Sequence, residues 1–97
     1  MLHHVVLMQT RAGAQPEARE QILKQLRSLP ALIPEIEDLS CGLNFADRSG
    51  GFDLVLSVRL AGKKALQTYR DHPEHVRVLE TWIRPNVEQV VAGDYEY

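Results

Sequence analysis

Between Phe52 and Leu60 the chain alternates without interruption. Phe52, Leu54, Leu56, Val58 and Leu60 face one way, and Asp53, Val55, Ser57 and Arg59 face the other. A period of two sustained over this length specifies a strand with one side in a core. The segment from His3 to Thr10 makes a different demand. Val5 and Leu7 on one face and Val6 and Met8 on the other are all apolar, the pattern of a strand covered on both sides. A chain with one such strand needs a helical layer on one sheet face and something else on the opposite face.

The remaining elements follow from periodicity and breakers. Pro16 suits a first helical position, with Glu17 beside the positive end of the helix dipole. Ala18, Ile22, Leu23, Leu26 and Leu29 then recur at helical spacing, and Pro30 and Pro34 end the run. Leu39, Cys41, Leu43 and Phe45 alternate as a second strand. Asp47-Arg-Ser-Gly-Gly51 reads as the turn of a hairpin to the strand at Phe52. Gly62 opens a second helical stretch through Ala65, Leu66 and Tyr69. His72 should end it, because the residue before a proline is steered out of the α region. Pro73 starts a further helical piece that carries Val76, Leu79 and Ile83 inward and closes at Pro85. Val87 to Tyr95 forms the last strand.

The order β-α-β-β-α-β predicts an α+β, ferredoxin-like domain over residues 1–97: a four-stranded antiparallel sheet with helices on one face. A domain of this length buries only about two-thirds of the surface that its unfolded chain exposes. The uncovered apolar sheet face therefore predicts a homodimer, two sheets packed against each other about a twofold axis into a dimeric α/β barrel.

Charge narrows the partners. Eleven basic and 13 acidic side chains give a net charge of −2, with no basic stripe, which argues against nucleic acid and anionic membranes. No apolar run approaches the length of a membrane span. Met1-Leu2-His3-His4 has neither the basic region nor the cleavage site of a signal peptide, and Cys41 is the single cysteine. The expectation is a soluble cytoplasmic protein. Gly50-Gly51 lacks the lysine and hydroxyl of a phosphate loop, and no cofactor is implied.

Chemistry, if present, has to come from the histidines and Tyr69. His3 and His4 are adjacent in a strand and point to opposite faces, so only one can reach a given site. In Tyr69-Arg-Asp-His72-Pro73-Glu-His75 the proline puts His72 at a helix cap and His75 in the first turn. The positive helix end would keep His75 neutral, the state a general base needs, with Tyr69 one turn earlier as a hydroxyl donor. The structural alternative is that Tyr69 packs in the core, His72 only caps and His75 only bonds a backbone carbonyl. His-x-x-His interrupted by proline, with no third ligand at hand, is a poor metal site. Cys41, flanked by Leu39 and Leu43 on its face, reads as a core residue, and Trp82 as packing.

These residues carry a resemblance. His4-Val-Val-Leu7, Gly42-x-Asn44, Gly51-Phe-Asp53 and Tyr69-x-x-His72-Pro73-x-His75 occur in the order found in the stress-responsive dimeric α/β-barrel family. The resemblance spans nearly the whole chain, and the last motif is its most specific part. It implies a ferredoxin-like protomer and a homodimer with inward-facing sheets. It further implies a pocket lined by His4, Leu54, Tyr69 and His75 that binds or transforms an apolar carbonyl compound. A polyketide cyclase of the family uses the tyrosine and histidine matching Tyr69 and His75, and it has histidines matching His4 and His72. A further histidine of that cyclase falls at about Leu54, which makes the pocket expected here more apolar. Two other readings stand beside the pocket: a cofactor-free monooxygenase on the same barrel, and a non-enzymatic stress protein whose stable dimer is its product.

Overall fold

The computed structural model describes all 97 residues. Strand β1 (Leu2–Thr10) leads to helix α1 (Ala18–Arg27) and a short 3-10 turn at Leu29–Ala31. Strands β2 (Asp38–Leu43) and β3 (Leu54–Leu60) follow. Helices α2 (Lys63–Asp71) and α3 (Pro73–Val78) run into a widened π turn at Leu79–Ile83, and strand β4 (Val87–Glu96) ends the chain. All pairings are antiparallel and the sheet order is β2-β3-β1-β4. This is the expected ferredoxin-like arrangement.

The two-sided pattern of β1 has a simple origin: it is an interior strand, between β3 and β4. Leu2, His4, Val6 and Met8 point into the helix layer and are buried, while His3, Val5, Leu7 and Gln9 point to the open face. Opposite them, Leu54, Leu56, Val58 and Leu60 of β3 close against Ile22, Leu23, Leu26 and Leu29 from the first helical segment. Leu66 and Tyr69, three residues apart on α2, and Val78 on α3 complete the core.

Three expectations need correction. Helix α1 starts at Ala18; Pro16 and Glu17 lie in a preceding turn in which the Ala18 N–H donates to the Gln15 carbonyl at 3.0 Å. Phe45 is outside β2 and 97% exposed. Asn44 ends the pairing by donating from Nδ2 to the Phe52 carbonyl and accepting the Ala46 N–H on Oδ1, a local side-chain turn that carries Phe45 outward. On α3, Val76 is 40% exposed and Val78 takes the core position, because the kink at Pro73 resets the helical phase.

The open face is apolar at one end and polar at the other. Val5, Leu7, Val55 and Val91 lie together, since Leu7 pairs with both Val55 and Val91. Toward the start of β1, His3 bonds the Ser57 hydroxyl through Nε2 at 2.6 Å and the Tyr95 hydroxyl through Nδ1 at 2.8 Å, and Arg59 donates to the Tyr97 hydroxyl at 2.7 Å. No helix is long and apolar enough to cross a membrane.

Candidate functional site

The break between α2 and α3 builds the site. His72 is held at φ −63°, ψ 135° by Pro73 and so terminates α2. Its Nδ1 accepts the Glu74 N–H at 3.1 Å, which caps α3. His75 then folds back over the break, and its Nδ1 donates to the Arg70 carbonyl at 2.9 Å, one of the carbonyls left unpaired at the end of α2. A carbonyl can only accept, so Nδ1 carries the proton and Nε2 of the neutral ring keeps its lone pair. The ring lies against Tyr69, with centroids 4.6 Å apart.

Tyr69 is 1% exposed and its hydroxyl has no protein partner. His4 is also beside it, ring centroids 6.0 Å apart. The His4 Nδ1–H donates to Asp94, which the antiparallel register places directly opposite on β4. The second Asp94 oxygen accepts from Arg70 Nη2 at 3.2 Å. His4, Tyr69, Arg70 and His75 line a cavity of about 210 Å³ whose other lining residues are apolar. Leu56 of β3, Leu79 and Ile83 from the π turn, and Val90 and Ala92 of β4 supply much of that surface.

Burial sets the proton affinities. It pushes the Tyr69 phenol up to about 12, with a smaller contribution from Cys41, so this group is a hydrogen donor throughout the neutral range. It lowers His75 below the usual histidine value, against the opposing bond to the Arg70 carbonyl; His4, Arg70 and His72 add smaller lowering contributions. The helix end was the expected source of His75 neutrality, but α3 is only six residues long, and desolvation is the leading cause.

The sequence matches the stress responsive A/B barrel domain over residues 2–97. The chain belongs to that family. A stress-response A/B barrel domain-containing protein of Arabidopsis thaliana is 26% identical over 95 residues; the match covers 98% of this chain and 36% of that protein, so the chain spans about a third of the relative's length. A crystal structure described as a dimeric ferredoxin-like protein of unknown function from Thermobifida fusca superposes with a TM-score of 0.86 at 28% identity, covering 99% of this chain and 90% of that one. A hydroxynitrile lyase from Passiflora edulis shares the fold, with a TM-score of 0.85 at 17% identity over 97% of this chain and 90% of the lyase.

Within this A/B barrel domain, His4, Tyr69 and His75 meet at one cavity, and the other two expected site residues do not join them. Leu54 is fully buried and lies outside the lining; Leu56, one strand period further along β3, occupies the wall. His72 is committed to its cap and does not line the cavity. No group of three histidine, cysteine, aspartate or glutamate side chains is close enough to hold a metal ion. Cys41 is half-buried, and burial raises its thiol above the ordinary value despite Arg27 nearby, which makes it a poor nucleophile. Residue-type reasoning overlooked Arg70 and Asp94. Asp94 was recoverable in principle, since pairing β1 with β4 antiparallel puts it against His4.

Two measurements follow from this geometry. A buried hydroxyl without a partner costs about 1–3 kcal/mol, so Tyr69→Phe should raise the unfolding free energy in urea by about 1 kcal/mol; a fall of that size would mean that the hydroxyl is bonded in the native state. His75 has a lower proton affinity folded than unfolded. The unfolded chain takes up that proton from about pH 6.5 downward while the folded protein resists. Stability owed to neutral His75 is therefore complete above about pH 6.5 and is lost as the pH falls toward the folded value. The stability of the wild type relative to His75→Asn should shrink between about pH 7.5 and about pH 5. Growth of that difference over the same range would show that His75 is held as imidazolium.

Proposed function

We propose that the protein is a homodimeric A/B barrel whose cavity binds a small apolar carbonyl compound, with Tyr69 and His75 acting on it. The observation that carries this reading is the unpartnered Tyr69 hydroxyl beside a neutral His75 in a mostly apolar cavity. A carbonyl oxygen accepting from Tyr69 Oη would recover the cost of the unsatisfied donor, and the same bond would polarise the carbonyl. The lone pair on His75 Nε2 is then available to remove a proton from the adjacent carbon, which is general-base catalysis by a histidine of lowered proton affinity. Nothing in this scheme requires a cofactor.

Size favours a single ring or a branched chain. An engineered apolar cavity of about 150 Å³ accommodates benzene, and the cavity here is about 210 Å³. Thermal-shift screening with aromatic ketones and quinones tests the reading. A ligand at about 100 times its Kd stabilises by about 2.7 kcal/mol. Such a shift should fall sharply in both His75→Ala and Tyr69→Phe; an unchanged shift in the two variants would remove these residues from the site.

The dimer rests on the open sheet face, where Val5, Leu7, Val55 and Val91 form an apolar patch and Val91 is 50% exposed. The Thermobifida fusca protein is described as dimeric, which supports the same assembly here. Analytical ultracentrifugation should give twice the chain mass for the wild type and the chain mass for Val91→Asp, a change on an edge strand that leaves the helix-side core intact. A monomeric wild type at micromolar concentration would refute the assembly.

A further inference from the structure

The inner cavity has one formally charged lining residue, Arg70. Its guanidinium offers five N–H donors and makes one hydrogen bond, to Asp94. Asp94 itself does not line the inner cavity, and its charge is shared between Arg70 and His4. A second cleft of about 520 Å³ lies over the end of β4 and is lined partly by Lys63, Asp94 and Glu96. Arg70 alone lines both spaces, and its side chain is 45% exposed. It therefore stands where the apolar cavity meets a polar, solvent-accessible cleft.

Donors and acceptors are unevenly distributed along the cavity. Tyr69 and Arg70 are consecutive on α2 and both contribute to its lining; the buried Tyr69 hydroxyl has no partner, and the Arg70 guanidinium has N–H groups to spare. Leu26, Leu56, Leu79 and Ile83 lie among the apolar walls. A ligand that satisfies this arrangement has acceptors at one end and hydrocarbon at the other. A guanidinium prefers a carboxylate, whose two oxygens match its planar fork.

We propose that the occupant is a short oxo carboxylate with one apolar arm. Its carboxylate pairs with Arg70 at the mouth, its keto oxygen accepts from Tyr69 Oη, and its arm fills the apolar interior. This rests on the pocket reading above and names the ligand class. A neutral ketone of the same shape gains no charged contact from the N–H donors that Arg70 keeps beside its bond to Asp94, so the carboxylate sets specificity through Arg70.

Phenylpyruvate and phenylacetone form a matched pair of probes, differing by a carboxylate in place of a methyl group. Isothermal titration of the full chain should show phenylpyruvate binding at least about tenfold more tightly, the effect of one good charged hydrogen-bonded contact. Raising the salt concentration should weaken phenylpyruvate and leave phenylacetone unaffected. Arg70→Gln should abolish the preference, weakening phenylpyruvate at least about tenfold more than phenylacetone, and Arg70→Lys should keep part of it. Equal affinity for both probes in the wild type, or a preference that survives in Arg70→Gln, would overturn the carboxylate assignment while leaving the pocket reading in place. Binding of neither probe would overturn both. The wild-type salt series keeps the test decisive should Arg70→Gln fold poorly.

Discussion

Pro73 is the constraint from which the rest of the site descends. Its ring denies the α conformation to His72, so α2 stops at Asp71 and α3 begins at Pro73. A helix break leaves unpaired carbonyls behind and unpaired N–H groups ahead. The two histidines of the motif answer those two needs: His72 accepts an N–H of the new helix, and His75 donates to a carbonyl of the old one. The second bond has a consequence beyond tidiness. It fixes the proton on Nδ1, leaves the lone pair on Nε2 and lays the ring against Tyr69, which is the arrangement the proposed general base needs.

The sheet supplies the other half. Helices cover β3 and β1 well but leave the helix side of β4 largely open, so that Val90 is 54% exposed although it lines the cavity. A fully covered β4 would have filled this space with core. The gap is therefore a property of the layer geometry, and the π turn at Leu79–Ile83 shapes its upper wall by widening the helix where Leu79 and Ile83 turn inward. Register does the rest, since antiparallel pairing of β1 with β4 sets Asp94 against His4 and within reach of Arg70.

Much of this was legible in the sequence, for physical reasons that differ by element. The alternation of β3 and the two-sided pattern of β1 report burial directly, and burial is what periodicity encodes. The helix break was legible because the proline effect is steric and local. What failed was whatever depended on phase or on distance. Val76 was expected inward and Val78 is the core residue, because a kink shifts the phase by an amount the sequence does not state. Leu54 was expected at the pocket and Leu56 is there, because alternation tells which face a residue takes but not where along the strand the helices leave room. The neutrality of His75 was expected from the helix end, which is readable from Pro73, whereas the desolvation that lowers its proton affinity needs the packed neighbours.

One consequence of that burial reaches past either residue alone. The same desolvation raises Tyr69 and lowers His75, so both are driven toward their uncharged forms. A proton transfer between them, giving phenolate and imidazolium, is disfavoured from both ends. The pair therefore does not relax into its own ion pair, and a hydroxyl donor and a neutral imidazole stay side by side, each without a charge. Under the proposed reading, charge that develops during a reaction would arise on the ligand, within a cavity whose one formally charged lining residue, Arg70, is paired with Asp94. On that reading a hydroxyl donor, a neutral imidazole and an Arg70 guanidinium with donors to spare suit a ligand that gains negative charge as it reacts, which is the behaviour of a carbonyl compound losing a proton from the neighbouring carbon.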